Sequence, residues 1–436
     1  MHDVLDPRDM VPDEAEHKAH SGFPVGDRWE RARRAADEND LPALAEVARE
    51  LDSLSLRADW AYVEPDDEAE LRTLAASAPV IPIVSGTERS RMKGAWLGRT
   101  VANTMGKPVE GLSRREVEVY LRAGGDWPQT GFVNLVDPRP EGLWWLHPDA
   151  ETSTLGSFSD VPRDDDIDWT ILGLFMLETY GPAITTEDIA REWLDRLPFT
   201  QTFTAERAAY RNLVLGKTIP ETATYLNPYR EWIGALIRAD IFGYVYPGDP
   251  ASAAVAAITD ARLSHVKNGV YGEMWAAALV AAALASEDAL AAVVASLAVV
   301  PPKSRLYEAV SGVVKLRSDG ASFDAALDWI DEHLGHYNWV HTVNNAAILT
   351  AGLLWGKTFT DAVAKTIAGG SDTDSNGATA GSIWGALYGE EAIPAELVGT
   401  THIHVRSAVR GFDRITIDEL TDRTLILRKQ FSKVSA

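Results

Sequence analysis

The chain has 436 residues, 46% hydrophobic and 24% charged, which is the balance of a globular protein with room for a sizeable core. Its 64 acidic residues outnumber 41 basic ones, and a formal net charge of -23 repels phosphate backbones and anionic membrane surfaces, so no nucleic-acid partner and no membrane partner are expected. There is no cysteine, which excludes disulfides and thiolate sites and leaves any metal to oxygen or histidine, hence to hard cations.

The acidic start, MHDVLDPRDMVPDEAEH, has no apolar core of a secretory signal. The most apolar stretch, 274–300, is broken by Glu287 and Asp288 and does not read as a membrane span. A cytoplasmic protein is expected. Residues 1–25 are charged and bear prolines, which predicts a loosely ordered or surface-draped start. Helical spacing begins at Asp27 and continues through Leu41, Leu44, Val47 and Leu51. Residues 1–88 are read as an N-terminal helical extension and 89–436 as the main domain. The best strand-like run is VIPIV at 80–84. From Gly94 onward amphipathic or Ala-rich segments follow one another, among them 90–106, 166–180, 230–243, 270–285, 342–355 and 376–388, so the expected fold class is all-α. The stretch 124–165 holds five prolines and three tryptophans and is long for a plain connection, which marks it as functional or disordered. There Trp127, Trp144 and Trp145 are candidates to stack on a base, although anchoring the loop explains them as well.

Two acidic runs carry chemistry. In RDDDIDWTILGLFMLETYG, Asp164, Asp165, Asp166 and Asp168 open a helix whose apolar face is Ile171, Leu172, Leu174, Phe175 and Leu177. One carboxylate suffices as a helix cap. Three adjacent ones repel unless a cation compensates, so a hard-cation site competes with an over-acidic cap. In GGSDTDSNGATAGSIWGALYG, a Gly-led loop offers oxygens from Asp372, Asp374, Ser375 and Asn376. A calcium EF-hand loop needs Glu at its twelfth position, which here is Ile383. A Gly-rich turn capped by Asp is the plain alternative.

Two stripes of small residues accompany these runs: Gly94, Gly98, Ala102 and Gly106, and then Gly377, Gly381, Gly385 and Gly389. Residues four apart share a helix face. Glycine costs a helix about 1 kcal/mol relative to alanine, so its repetition implies that another backbone comes close. The ends of the two stripes deliver Lys107–Glu110 and Asp372–Ser375.

The segments GAWLGRTVANTMGKPVEG, DDDIDWTILGL and GGSDTDSNGATAGSIWGALYG resemble, in that order, the three signature segments of the ADP-ribosylglycohydrolase family. The resemblance covers roughly residues 89–400. It implies an all-α domain with a binuclear centre of two Mg2+ ions in a cleft, with Mn2+ as the alternative. The implied metal ligands are Asp164, Asp165 and Asp166, with Asp at the first place where the family has Thr, and Asp372, Asp374 and Ser375, with Ser where the family has Thr. Glu110 matches the family's acidic residue after its Gly-rich helix and is an expected catalytic group with Asp372 and Asp374. The family's Gly-Asn-Gly phosphate loop falls on Trp232-Ile233-Gly234. Expected substrate contacts are Asn103, Gly106, Gly234, Arg238, His265, Asn268 and Tyr271, with Lys267 and the Asn344–Asn345 pair as weaker candidates. The implied activity is cleavage of an N- or O-ribosyl bond in a small-molecule or protein-linked ADP-ribosyl substrate. Alternatives are a nucleoside or other ribosyl conjugate as substrate, or a non-catalytic relative of the kind found among lens crystallins.

Overall fold

The computed structural model describes residues 5–83 and 86–431. Helices build it, and among the described residues the one small sheet pairs His404–Val405 with Ile415–Thr416. Among the described residues, no helix is long and apolar enough to cross a membrane.

The start of the chain is not loose from Leu5 on. Pro7–His20 is a helix whose cap, Asp6, accepts from the Arg8 backbone N–H at 2.9 Å. With the helices Arg28–Asp37 and Leu41–Asp52 it encloses a small core of Ala15, Val25, Ala32, Val47 and Leu51. The charges that suggested a solvated segment are its docking groups. Glu14 receives both guanidinium nitrogens of Arg230 at 2.6 and 2.9 Å, and the His20 carbonyl accepts from Arg305 at 3.1 Å. Further on, both carboxylate oxygens of Glu64 take Arg305, each at 2.8 Å, and Oε1 also takes the Asn268 amide at 2.8 Å. Glu64 and Arg305 are both buried, so removing Glu64 strips the guanidinium of its two-oxygen partner and leaves its charge to Glu231. Glu64→Ala is expected to cost about 3 kcal/mol. A lowered thermal midpoint, together with faster proteolysis between residues 53 and 63, is the readout. The segment 80–83 forms no strand, although the Ile81 N–H donates to the Gly248 carbonyl at 2.7 Å, and Val84 lies outside the described residues.

The main body is organised around Asn268–Ala283, a helix in which all 16 residues are buried. It is apolar on every side and Ala-rich, so neighbours approach it from all directions. Pro250–Ala261, Asp240–Val245 and Thr342–Trp355 are among them.

The two glycine stripes meet face to face. Glu88–Gly106 and Thr373–Tyr388 run antiparallel in extensive contact. A Cβ at Gly98 would lie 2.2 Å from the Gly381 carbonyl oxygen, one at Gly385 1.9 Å from that of Gly94, and one at Gly106 2.3 Å from that of Thr373. The backbones therefore touch, and this register brings the end of the first helix beside the start of the second.

The C-terminal segment packs against the first of these helices through His402. Its ring is 1% exposed, stacks on Phe132 at 5.1 Å, and has Nε2 3.2 Å from the Thr104 hydroxyl. Burial pushes the imidazole pKa down from 6.5 to about 3. Above pH 6.5 the ring is neutral in both folded and unfolded chains. Below it only the unfolded chain takes the proton, so stability falls as pH drops from 6.5 toward 3. At pH 4.5 the loss from this one ring is about 2–3 kcal/mol. Denaturant unfolding at pH 7 and 4.5 should show His402→Gln losing less than wild type by about that amount; equal losses would refute the buried neutral ring.

Candidate active site

Three chain segments converge at the open end of the helix pair. The first is the tight turn Lys107–Val109 and the residue after it, Glu110. The second is the start of the helix Asp165–Tyr180, where Asp164 is the cap and its Oδ1 accepts from the Asp166 N–H at 3.0 Å. The third is Asp372–Asn376, at the start of Thr373–Tyr388. The third segment is held from behind by Asn345. Its side-chain oxygen accepts from the Asp372 N–H at 3.2 Å and from the Asn376 amide at 2.6 Å, while its own amide donates to the His341 carbonyl at 2.9 Å. Asn345 therefore positions the acidic loop from underneath. Thr373 ties that loop to the first helix, donating to the Gly106 carbonyl at 2.8 Å.

The carboxylates form two overlapping groups. Glu110, Asp372 and Asp374 present oxygens within 4.8 Å of one another, and so do Asp164, Asp166 and Asp374. Asp374 belongs to both. Burial, reinforced by the neighbouring carboxylates, pushes Glu110, Asp166 and Asp372 well above the usual carboxyl range and Asp165 up to about 8. Asp164 goes the other way: burial opposes its ionisation, but Lys107 and Arg163 hold its pKa at about 2. Asp166 Oδ1 and Asp374 Oδ1 are buried with no hydrogen-bond partner. A buried carboxylate oxygen without a donor is costly. An all-oxygen donor set with such orphaned atoms fits a hard divalent cation.

Lys107 was not among the expected site residues, yet it stands in the middle of them. Its ammonium lies 2.8 Å from Asp164 Oδ2, 2.9 Å from Asp374 Oδ2 and 2.8 Å from Glu110 Oε2. Burial works against its charge, but these three carboxylates outweigh burial and raise its pKa well above 10.5. His147 also arrives unannounced, with Nε2 3.5 Å from Glu110 Oε2. It comes from the long irregular stretch, where no periodicity marks which side chains turn inward.

A cavity of about 930 Å³ opens above this cluster. Its lining includes Glu110, Asp164, Asp165, Asp166, Asp372, Asp374 and Ser375, and aromatic walls from Trp144, Trp145, Phe158 and Trp232. Among the described residues, none of the lining comes from the N-terminal extension. Of the tryptophans in the long loop, Trp144 and Trp145 line the cavity, whereas Trp127 packs against the core.

The expected substrate contacts divide. Gly234 lines the cavity, along with Trp232 and Ile233. Asn103 instead donates to Asp166 Oδ2 at 2.9 Å, and Gly106 is a helix contact. Arg238, His265, Asn268 and Tyr271 are not in the lining. Arg238 is buried in ion pairs with Glu206 and Asp260 and donates to the Ser264 hydroxyl at 2.9 Å. His265 Nδ1 lies 2.8 Å from that hydroxyl. Asn268 donates to Glu64 and Glu231, each at 2.8 Å, and Tyr271 donates to the Pro65 carbonyl. These four are tied into buried networks, two of them beneath the extension, and all but His265 by partners remote in sequence. The weaker candidate Lys267 is likewise absent from the lining, its backbone N–H donating to Asp66 at 3.1 Å.

The family model of the ADP-ribosylglycohydrolases matches residues 85–433. One similar solved structure, described as an ADP-ribosylglycohydrolase-related protein complex, is 19% identical, spans 79% of this chain and 99% of its own, and superposes with a TM-score of 0.46. No curated protein matches the chain. The match over most of the sequence, on a helical body whose three signature segments meet at one acidic cavity, shows that this chain belongs to the ADP-ribosylglycohydrolase family and is a glycoside-cleaving hydrolase.

Proposed function

We propose that the protein hydrolyses the N- or O-linked ribosyl bond of an ADP-ribosyl substrate and depends on a divalent metal, magnesium or manganese, held by Asp164, Asp165, Asp166, Asp372, Asp374 and Ser375. The observation that supports this most is Asp374, shared by two carboxylate groups at the head of the cavity and carrying an orphaned oxygen. The family resemblance implies two ions, and two carboxylate groups that could hold a cation meet at Asp374. A bound divalent ion lowers the pKa of water and fixes its position.

The chain's own residues do the rest. Glu110, whose carboxyl burial and Asp374 push well above its usual range, is suited to give a proton to the leaving oxygen or nitrogen. Asp372 and Asp374 orient the attacking water and accept its proton. Asn103 fixes Asp166 through its 2.9 Å hydrogen bond. The surrounding negative charge favours a ribosyl cation-like transition state. The aromatic walls exclude water and offer faces for a base.

A second reading, hydrolysis of a nucleoside or another ribosyl conjugate, is favoured by one observation. Trp232 and Ile233 line the cavity where the family resemblance places a phosphate-binding Asn. The deciding experiment offers the purified protein ADP-ribosylated arginine and serine peptides, O-acetyl-ADP-ribose and nucleosides, with magnesium, manganese or chelator. Metal-dependent release of ADP-ribose is expected. Release of ribose from nucleosides alone would install the second reading, and turnover unchanged by chelator would remove the metal from the mechanism.

A further inference from the structure

The resemblance asks for two cations, yet the chain already supplies one of its own. Lys107 donates into the cluster from the turn that ends the first glycine helix, with its side chain 8% exposed. The ammonium has three acceptors, Asp164, Asp374 and Glu110, all within 2.9 Å and each from a different segment. One of its three donors goes to Asp374 Oδ2, and Asp164 and Glu110 hold it as ion pairs. It also touches both carboxylate groups at once, because Asp374 is common to them.

We infer that Lys107 is a built-in cation that fills one of the two cation positions, so that the centre binds a single divalent ion. This rests on reading the cluster as a metal centre. Three observations carry it. First, Lys107 takes Asp374 Oδ2, Asp164 Oδ2 and Glu110 Oε2, and a second divalent ion drawing on the same oxygens would stand beside a buried like charge. Second, Asp374 Oδ1 and Asp166 Oδ1 are buried without a hydrogen-bond partner, and neither is an oxygen that the lysine approaches. They offer one ion two oxygens that the lysine leaves free. Third, the negative charge of Asp164 stands where the family pattern has a neutral hydroxyl, and the ammonium that balances it is 2.8 Å away. The added carboxylate and the lysine act as a pair.

The lysine's backbone is not free to withdraw. Gly106, directly before it, has its Cα against the Thr373 carbonyl, where a Cβ would sit 2.3 Å from the oxygen. The helix end is thereby fixed to the acidic loop, and the side chain is delivered into the cluster.

Equilibrium dialysis against Mn2+ with electron paramagnetic resonance tests the count without reference to turnover. Wild type is expected to bind one Mn2+ per chain with the spectrum of an isolated ion. Lys107→Met is expected to bind two, with the broadened spectrum of a coupled pair, and Lys107→Arg to stay at one. Two coupled ions in wild type would overturn the inference and leave metal-dependent hydrolysis standing. A count of one in Lys107→Met would overturn the role given to the lysine. No bound ion in wild type would overturn the metal reading itself, and the inference with it. The wild-type count decides even if Lys107→Met does not fold.

Discussion

Gly381→Val is expected to lower stability by more than about 4 kcal/mol or to abolish soluble expression. A Cβ on Gly381 would sit 2.1 Å from the Gly98 carbonyl oxygen and 2.6 Å from the Ala102 Cβ, and neither atom can swing aside. Overpacking a core costs about 1–3 kcal/mol when side chains absorb the strain. Here backbone must absorb it, so the two helices have to separate. The same register is enforced at Gly94 with Gly385 and at Gly106 with Thr373, so separation at one point disturbs the whole seam. It would also pull Lys107 and Glu110 away from Asp374, because those residues follow directly from the seam's end. Gly131→Ala is the control, since a Cβ there meets only Leu397 Cδ2 at 3.4 Å. Thermal unfolding of both variants checks the claim: a Gly381→Val midpoint close to that of Gly131→Ala would refute backbone contact along the seam.

That seam was legible in the sequence for a physical reason. Glycine is unfavourable in helices, so glycines at four-residue spacing in two segments have few explanations other than close approach. The acidic runs were legible because each is local in the chain and costly without compensation. Lys107 was not. It looked like a residue in passing between a helix and Glu110, and its importance comes from Asp374, 267 residues away. Arg238, His265, Asn268 and Tyr271, expected to touch substrate, lie outside the cavity lining. The resemblance put them at the substrate, but the carboxylates that bury Arg238 and the extension residues that cover Asn268 and Tyr271 are not apparent from local pattern. The same blindness made residues 1–25 look solvated, because Glu14 is a surface charge until Arg230 is known to face it. Periodicity reports which face of an element is buried. It does not report which distant charge completes a buried pair.

The DDDID run sharpens this into a contrast between two carboxylates. Asp374→Asn is expected to leave the fold intact while reducing hydrolysis by about a thousandfold or more and removing metal-induced thermal stabilisation. Asparagine keeps the shape of Asp374 and an oxygen to accept from Lys107, and it takes one negative charge out of a buried cluster of carboxylates, so the weakened pairing with Lys107 is offset by relief from repulsion. What it loses is the one ligand common to both groups. Asp168 is as acidic and lies in the same sequence run, but it faces away from the cavity lining. Its carboxylate accepts from the Ser407 hydroxyl at 2.6 Å, the Ala408 N–H at 3.0 Å and Arg163 Nε at 2.7 Å, fastening the C-terminal segment to the helix behind the site. Asp168→Ala strands those donors and is expected to cost about 3 kcal/mol, with the metal-induced rise in melting temperature retained. Melting curves of both variants with and without Mn2+, alongside assays of released ADP-ribose, separate the two roles. If Asp374→Asn still shows the metal-induced rise, the shared-ligand account of the centre fails. If Asp168→Ala loses that rise while remaining folded, the cation site extends beyond the residues assigned to it.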